Sequence, residues 1–333
     1  MKVFDLHCDT LSELRYAERR GEAKSFATND LHIDLEKLHK GDYMLQCFAA
    51  FVNLSDPTPG ADPLVTALEE VDVFKRIMAK YSDQIAPVYS PEDIRCNAQA
   101  GKISGMLTIE EGGCCKGSLG VLRQMYELGA RMMTLTWNHE NELASPNVVP
   151  GGGGDIWPCK PNTETGLKER GFEFLAEMER LHMIVDVSHL SDRGFWDIAE
   201  HSTRPFAASH SNCRALAPHC RNLTDEMIRV MAEKGGLVGL NYCSGFLDDQ
   251  PRPELCRSTT ALMARHAAHF KQVGGIEIIG LGSDFDGIGG KLEMGDCSKL
   301  PLLADALRKE GFTEDEVEQI FFRNAQRFFE ENL

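Results

Sequence analysis

Long uninterrupted apolar runs are missing from this chain of 333 residues. No window approaches the roughly 18 apolar residues that a membrane span requires, so a spanning segment is not expected. The opening residues Met1-Lys2-Val3-Phe4-Asp5-Leu6-His7 put charge where a secretory leader would have its apolar stretch, and no leader is expected either. Positive charge is scarce: 35 Lys and Arg stand against 51 Asp and Glu, a formal net charge of −16. A field of that sign repels phosphate backbones and anionic lipid, which argues against nucleic acid and membrane surfaces as partners and favours plain solubility. No Cys-x-x-Cys pair occurs, so a thiolate zinc site is not expected. The cysteines number 11, an odd count that cannot all pair, and a chain of this size buries enough core to need no disulfide framework. Thiols in a reducing, cytoplasmic setting are the expectation. Low-complexity linkers and charge runs are absent too, which leaves one domain over residues 1–333 as the simplest organisation.

What is present is a rhythm. Short apolar runs alternate with longer amphipathic ones, the pattern of strands and helices in a parallel α/β barrel. Candidate strands fall at 3–8, 45–52, 105–109, 131–136, 183–188, 205–209, 237–241 and 278–283. Most are near-continuously apolar, as strands covered by helices should be. Between them, Leu64, Leu68, Val71, Phe74 and Ile77 form a helical stripe, Gly129 suits a helix C-cap, Thr224 an N-cap, and Thr313 with Glu316 a capping box. The fold expected is a (β/α)8 (TIM) barrel. One stretch breaks the rhythm: about 137–165 is polar and carries Gly151-Gly152-Gly153-Gly154. A loop this long after the fourth strand is expected to act as a lid or pocket wall.

Polar side chains collect at strand ends. His7 and Asp9 close the first strand as His-x-Asp, Glu110 and Glu111 follow the third, His189 the fifth, His210 the sixth, and Asp284 and Asp286 the eighth. Any one of these is weak evidence, because a histidine beside a strand is more often structural than a ligand. Together they meet at one barrel mouth, and imidazole with carboxylate is a ligand set suited to zinc and similar divalent ions. The number of candidates exceeds what a single catalytic zinc uses, so two metal ions bridged by a carboxylate are expected.

These same stretches resemble the renal (membrane) dipeptidase family, the M19 metallopeptidases, over essentially the whole chain. The matching runs are Asp5-Leu6-His7-Cys8-Asp9, Glu111-Gly112-Gly113, Asp186-Val187-Ser188-His189, Ser209-His210-Ser211, Arg221-Asn222 and Gly282-Ser283-Asp284-Phe285-Asp286-Gly287. The resemblance implies a zinc-dependent dipeptidase that uses a metal-bridging hydroxide and accepts peptide substrates, with a tendency to homodimers. It implies His7, Asp9, Glu111, His189 and His210 as metal ligands, with Glu111, directly before the Gly-Gly, as the bridge. It further implies Asp284 as the catalytic carboxylate and Arg221 as the clamp for the substrate carboxylate. Tolerance of a C-terminal D-residue is left open, as is action on N-acyl amino acids or a lactam; a non-catalytic metal-binding paralogue is the remaining alternative. The sequence departs from animal members after Thr134-Leu135-Thr136, where Trp137 replaces a substrate-contacting histidine and the nearest imidazole is His139.

Overall fold

The computed structural model describes residues 1–58, 60–148 and 160–333. Its parallel strands are β1 (Val3–Asp5), β2 (Tyr43–Phe51), β3 (Ile85–Pro87), β4 (Ile103–Glu110), β5 (Ala130–Thr134), β6 (Ile184–Asp186), β7 (Ala207–Ala208), β8 (Leu237–Leu240) and β9 (Ile279–Leu281). They run in the order β2-β1-β9-β8-β7-β6-β5-β4-β3, and β2 also pairs with β4. That last pairing closes a ring of eight strands, the (β/α)8 barrel. β3 stands outside the ring. It pairs with Ile103 to Gly105 at the start of β4, below the point where β5 takes over at Leu107 to Glu110. Three residues ending in Pro87 carry too little periodicity to be read as a strand from sequence.

All eight candidate strands reappear in the ring, several of them shorter than expected, down to two residues in β7. Several helices start at side-chain caps. α1 (Thr10–Arg19) starts directly after Asp9. α2 (Leu35–Lys40) is capped by Asp34, and α3 (Pro63–Lys80) by Asp62 with Pro63 in its first turn. Thr224 caps the Asp225–Glu233 helix, and Thr313 with Glu316 forms the expected box. Among the described residues, no helix is long and apolar enough to cross a membrane.

Two apolar layers hold the barrel. Inside, Phe4, Leu6, Leu45, Cys47, Met106, Met132, Ile184 and Leu237 pack with Phe328 and Phe329 of the Asn324–Asn332 helix. The ring of Phe329 lies 6.2 Å from that of Phe4, so this helix plugs the end of the barrel at which the strands begin. Outside, the alternate strand residues, such as Leu107 and Ile109, meet the helices. Cys8 belongs to that outer layer although it shares parity with the inward Phe4 and Leu6, because β1 ends at Asp5 and the alternation does not run on to it. With the base sealed by phenylalanines, polar chemistry is left to the C-terminal ends of the strands.

Candidate metal centre

Glu110 is the last residue of β4, and parity decides its direction. Met106 points into the barrel while Leu107 and Ile109 pack outward, so Thr108 and Glu110 face inward. Its carboxylate lies among three imidazoles: Oε2 is 3.3 Å from His7 Nε2, and Oε1 is 3.1 Å from His189 Nε2 and 3.6 Å from His210 Nε2. Glu111 does not join them. Its φ of 94° turns the chain out of the strand, and its carboxylate accepts hydrogen bonds from Gly113 N, Trp137 N and Asn141 Nδ2. The expectation that Glu111 bridges the centre is therefore corrected in geometry: the carboxylate in the cluster is that of Glu110. Strand parity was the sequence signal that separates the two.

The other expected residues do converge. His7 Nε2 lies 3.4 Å from Asp9 Oδ2. They meet beyond the strand, since β1 stops at Asp5 and Asp9 is already the N-cap of α1. His189 and His210 each lie just past β6 and β7, with their Nε2 atoms 3.1 Å apart. Ligand atoms of His7, Glu110 and His210 fall within 4.8 Å of one another, and so do those of His7, Asp9 and Asp284. Arg221 stands beside the cluster but not on the cavity wall. It is buried, donating from Nη2 to the His210 carbonyl at 2.8 Å and from Nη1 to Ser211 Oγ at 3.3 Å.

The imidazoles are oriented from behind by groups that sequence reasoning missed. Asp186, a carboxylate in an apolar strand, accepts from the backbone of Ser188 and Ser209 and from the Ser209 hydroxyl. With its hydrogen directed to Asp186, Ser209 Oγ accepts from His210 Nδ1–H at 2.7 Å. Asn138 Oδ1 lies 2.9 Å from His189 Nδ1. Both histidines thus present a bare Nε2 toward Glu110 and each other. Asp5 Oδ1 ties the ends of β1 and β9 together through the N–H groups of His7 and Ser283.

Charge is crowded here. Burial pushes Asp9 up to about 7 and Asp284 up to about 6; the charge of Glu110 adds to both, and that of His7 opposes. Burial pulls His189 down to about 4, helped by the charge of Arg221. Burial acts the same way on His7, but Glu110 and Asp9 outweigh it and hold its pKa well above the usual imidazole value. Several site residues also sit at positive φ, namely Glu111, His189, Asp284 and Asp286, a clustering of backbone strain typical of functional sites. Gly287 is needed for space, because a Cβ there would collide with the Asp9 carboxylate.

A cavity of about 430 Å³ opens onto this cluster, lined by Asp9, Glu110, His189 and Asp284 from the centre and by Phe51, Trp137 and Asn138 above it. A groove of about 500 Å³ between α1 and α3 holds none of these residues and is lined by charges that pair with one another. Trp137 stands edge-on to Phe51 at 4.9 Å and walls the cavity, while His139 lies off the wall, bonded to Ser55. So the first residues of the 137–165 stretch do form pocket wall; its glycine run at 151–154 lies outside the described residues. Among the described residues nine cysteines are free, but Cys220, next to Arg221, departs from the expectation of thiols: it is disulfide-bonded.

Comparison with known proteins agrees with this geometry. Residues 1–332 match the family described as membrane dipeptidase, peptidase family M19. An uncharacterized dipeptidase of Schizosaccharomyces pombe is 33% identical over 308 residues, covering 89% of this chain and 71% of the relative. Among solved structures, a family M19 dipeptidase superposes with a TM-score of 0.89 at 27% identity, covering 100% of this chain and 98% of the other. A metallopeptidase from Rhodobacter sphaeroides, liganded with a phosphinate mimic of L-Ala-D-Ala, gives 0.89 at 26% identity, covering 100% and 99%. A barrel whose mouth gathers histidines and carboxylates, matched end to end by this family, has one assignment: the chain belongs to the membrane dipeptidase family, the M19 metallodipeptidases.

Proposed function

We propose that the chain hydrolyses dipeptides, including those with a C-terminal D-residue, using two divalent ions, zinc best suiting the donor set. The observation that carries this reading is Glu110, whose two oxygens face different partners, Oε2 toward His7 and Oε1 toward His189 and His210. That is the disposition of a bridging carboxylate. Buried ligand atoms without hydrogen-bond partners among the described residues, His7 Nε2 and Asp9 Oδ1, fit the same role. His7 and Asp9 would hold one ion, His189 and His210 the other, with Glu110 shared. The chemistry such ions supply is Lewis acidity, which lowers the pKa of water and polarises a carbonyl oxygen.

The chain's own groups do the rest. Asn241 Nδ2 donates to Asp284 Oδ2 at 2.9 Å and fixes the carboxylate, leaving Oδ1 to accept a proton from the attacking water and return it to the leaving amine. Burial makes Asp284 basic enough for that exchange near neutral pH. Phe51 and Trp137 give the cavity an apolar wall beside these groups. Arg221 is the proposed partner of the substrate carboxylate. Its Nε is buried with no hydrogen-bond partner among the described residues, although the guanidinium stands behind the His210 backbone rather than on the cavity wall. Support for the D-residue comes from the Rhodobacter sphaeroides relative and its L-Ala-D-Ala mimic.

A panel of L-Ala-L-Ala, L-Ala-D-Ala and N-acetyl-alanine, assayed with zinc present, tests the reading. Both dipeptides are expected to be cleaved and the N-acyl amino acid spared. Cleavage of N-acetyl-alanine with both dipeptides untouched would overturn it.

A further inference from the structure

We propose that Glu13 makes this site select dipeptides that carry a cationic side chain, a refinement that rests on the dipeptidase reading. Among the described residues, the charged ones on the cavity wall, His189 apart, are Asp9, Glu13, Glu110, Asp284 and Asp286, with no lysine and no arginine. Four of those carboxylates are already engaged. Asp9 and Glu110 meet His7, Asp284 is held by Asn241, and Asp286 accepts from Thr10 Oγ1 and from His32 N, each at 2.6 Å. Glu13 alone has no hydrogen bond or ion pair to its carboxylate among the described residues.

The helix that carries it makes this selective. Every other charged side chain of α1 is paired on the outer side of the barrel: Arg15 with Glu70 at 2.8 Å, Glu18 with Arg76 at 2.9 Å, and Arg19 with Glu69 at 2.6 Å. Glu13 is the exception, half-buried and turned to the cavity. Aromatic rings share the cavity with it: Tyr16 follows three residues later on the same helical face, and Phe51 and Trp137 line the same cavity. A carboxylate beside aromatic faces recognises an ammonium or guanidinium by charge and cation–π attraction, while the rings cover the aliphatic stem of a Lys or Arg side chain. An acidic side chain would meet only like charge there.

The test compares charged substrates with uncharged isosteres on the zinc-loaded enzyme. kcat/KM is measured for Lys-Ala against norleucine-Ala, and for Ala-Lys against Ala-norleucine, in wild type, Glu13→Gln and Glu13→Lys. Wild type is expected to favour the lysine member of at least one pair by roughly five- to tenfold, the size of a partly solvated ion pair. Glu13→Gln should abolish that preference through KM, leaving the norleucine peptide within about twofold and kcat unchanged, as loss of uniform binding does. Glu13→Lys should shift the preference to Glu-Ala. Equal losses on the lysine and norleucine peptides would mean that Glu13 reads the common N-terminal ammonium, and would overturn the proposal, as would no change in either pair. Failure of wild type to cleave any dipeptide would instead remove the underlying reading.

Discussion

Burying a carboxylate without a counter-charge costs several kcal/mol, and the barrel mouth brings Asp9, Glu110 and Asp284, all buried, together around His7. Such a cluster holds together by binding protons or cations, and the bare Nε2 atoms of His189 and His210 favour cations. Asp284 differs from the others in being tethered at one oxygen by Asn241, which suits a proton carrier more than a ligand. Asp284→Asn is expected to lower kcat by about 10²- to 10⁴-fold, the usual worth of a general base, with bound metal unchanged; near-wild-type turnover would remove Asp284 from the mechanism. At this scale the sequence was largely legible. His7, Asp9, His189, His210 and Asp284 are brought together as expected because strand ends in a barrel share one mouth. Glu111, expected as the bridge, lies apart from the cluster that Glu110 joins: the glycines after them dominate the motif, whereas strand parity is what aims the side chain. Asp5, Asp186 and Asn138 were missed because a supporting hydrogen bond leaves no pattern of its own. Buried polar residues inside apolar strands were the one hint.

Among the elements, the segment leading into α2 shows how a cap reaches the site. Asp34 accepts from Lys37 N at 2.8 Å and from Asn29 N at 3.0 Å, and pairs with Lys37 Nζ at 2.9 Å. This fixes the turn in which His32 N donates to Asp286, on the cavity wall. Burial alone would raise the pKa of Asp34, but the Lys37 and Asn29 hydrogen bonds and the Lys37 charge outweigh it and leave it lowered. A carboxylate with a lowered folded pKa contributes stability that is present above its unfolded pKa and lost as pH falls through the folded one. Asp34→Ala should therefore cost about 1 kcal/mol at neutral pH, and the gap between wild type and variant in urea melts should close as pH drops below about 4. A gap that stays constant with pH would contradict this role. Caps at Thr224 and Thr313 were readable because side-chain chemistry and position suffice to place them. β3 was not, since its pairing to β4 depends on tertiary contact rather than on its own three residues.

For the whole molecule, one end of the barrel is closed by phenylalanines and the other by a charged cluster, so stability and metal loading should be linked. Ions that bind the folded chain alone stabilise it by mass action, about 2.7 kcal/mol at a hundredfold excess over Kd. A chelator is expected to lower Tm and abolish activity, and zinc to restore both; an unchanged Tm would argue against a loaded centre. The barrel itself was legible because alternating apolar strands and amphipathic helices constrain the architecture at every step. The detail of its mouth was not, because loops and caps decide it. The most direct measurement is the metal content of the purified, folded chain by atomic emission, in wild type, Glu110→Gln and Glu111→Gln. The account predicts about two divalent ions per wild-type chain, most of them lost in Glu110→Gln and retained in Glu111→Gln. Full loading of Glu110→Gln together with loss in Glu111→Gln would contradict it.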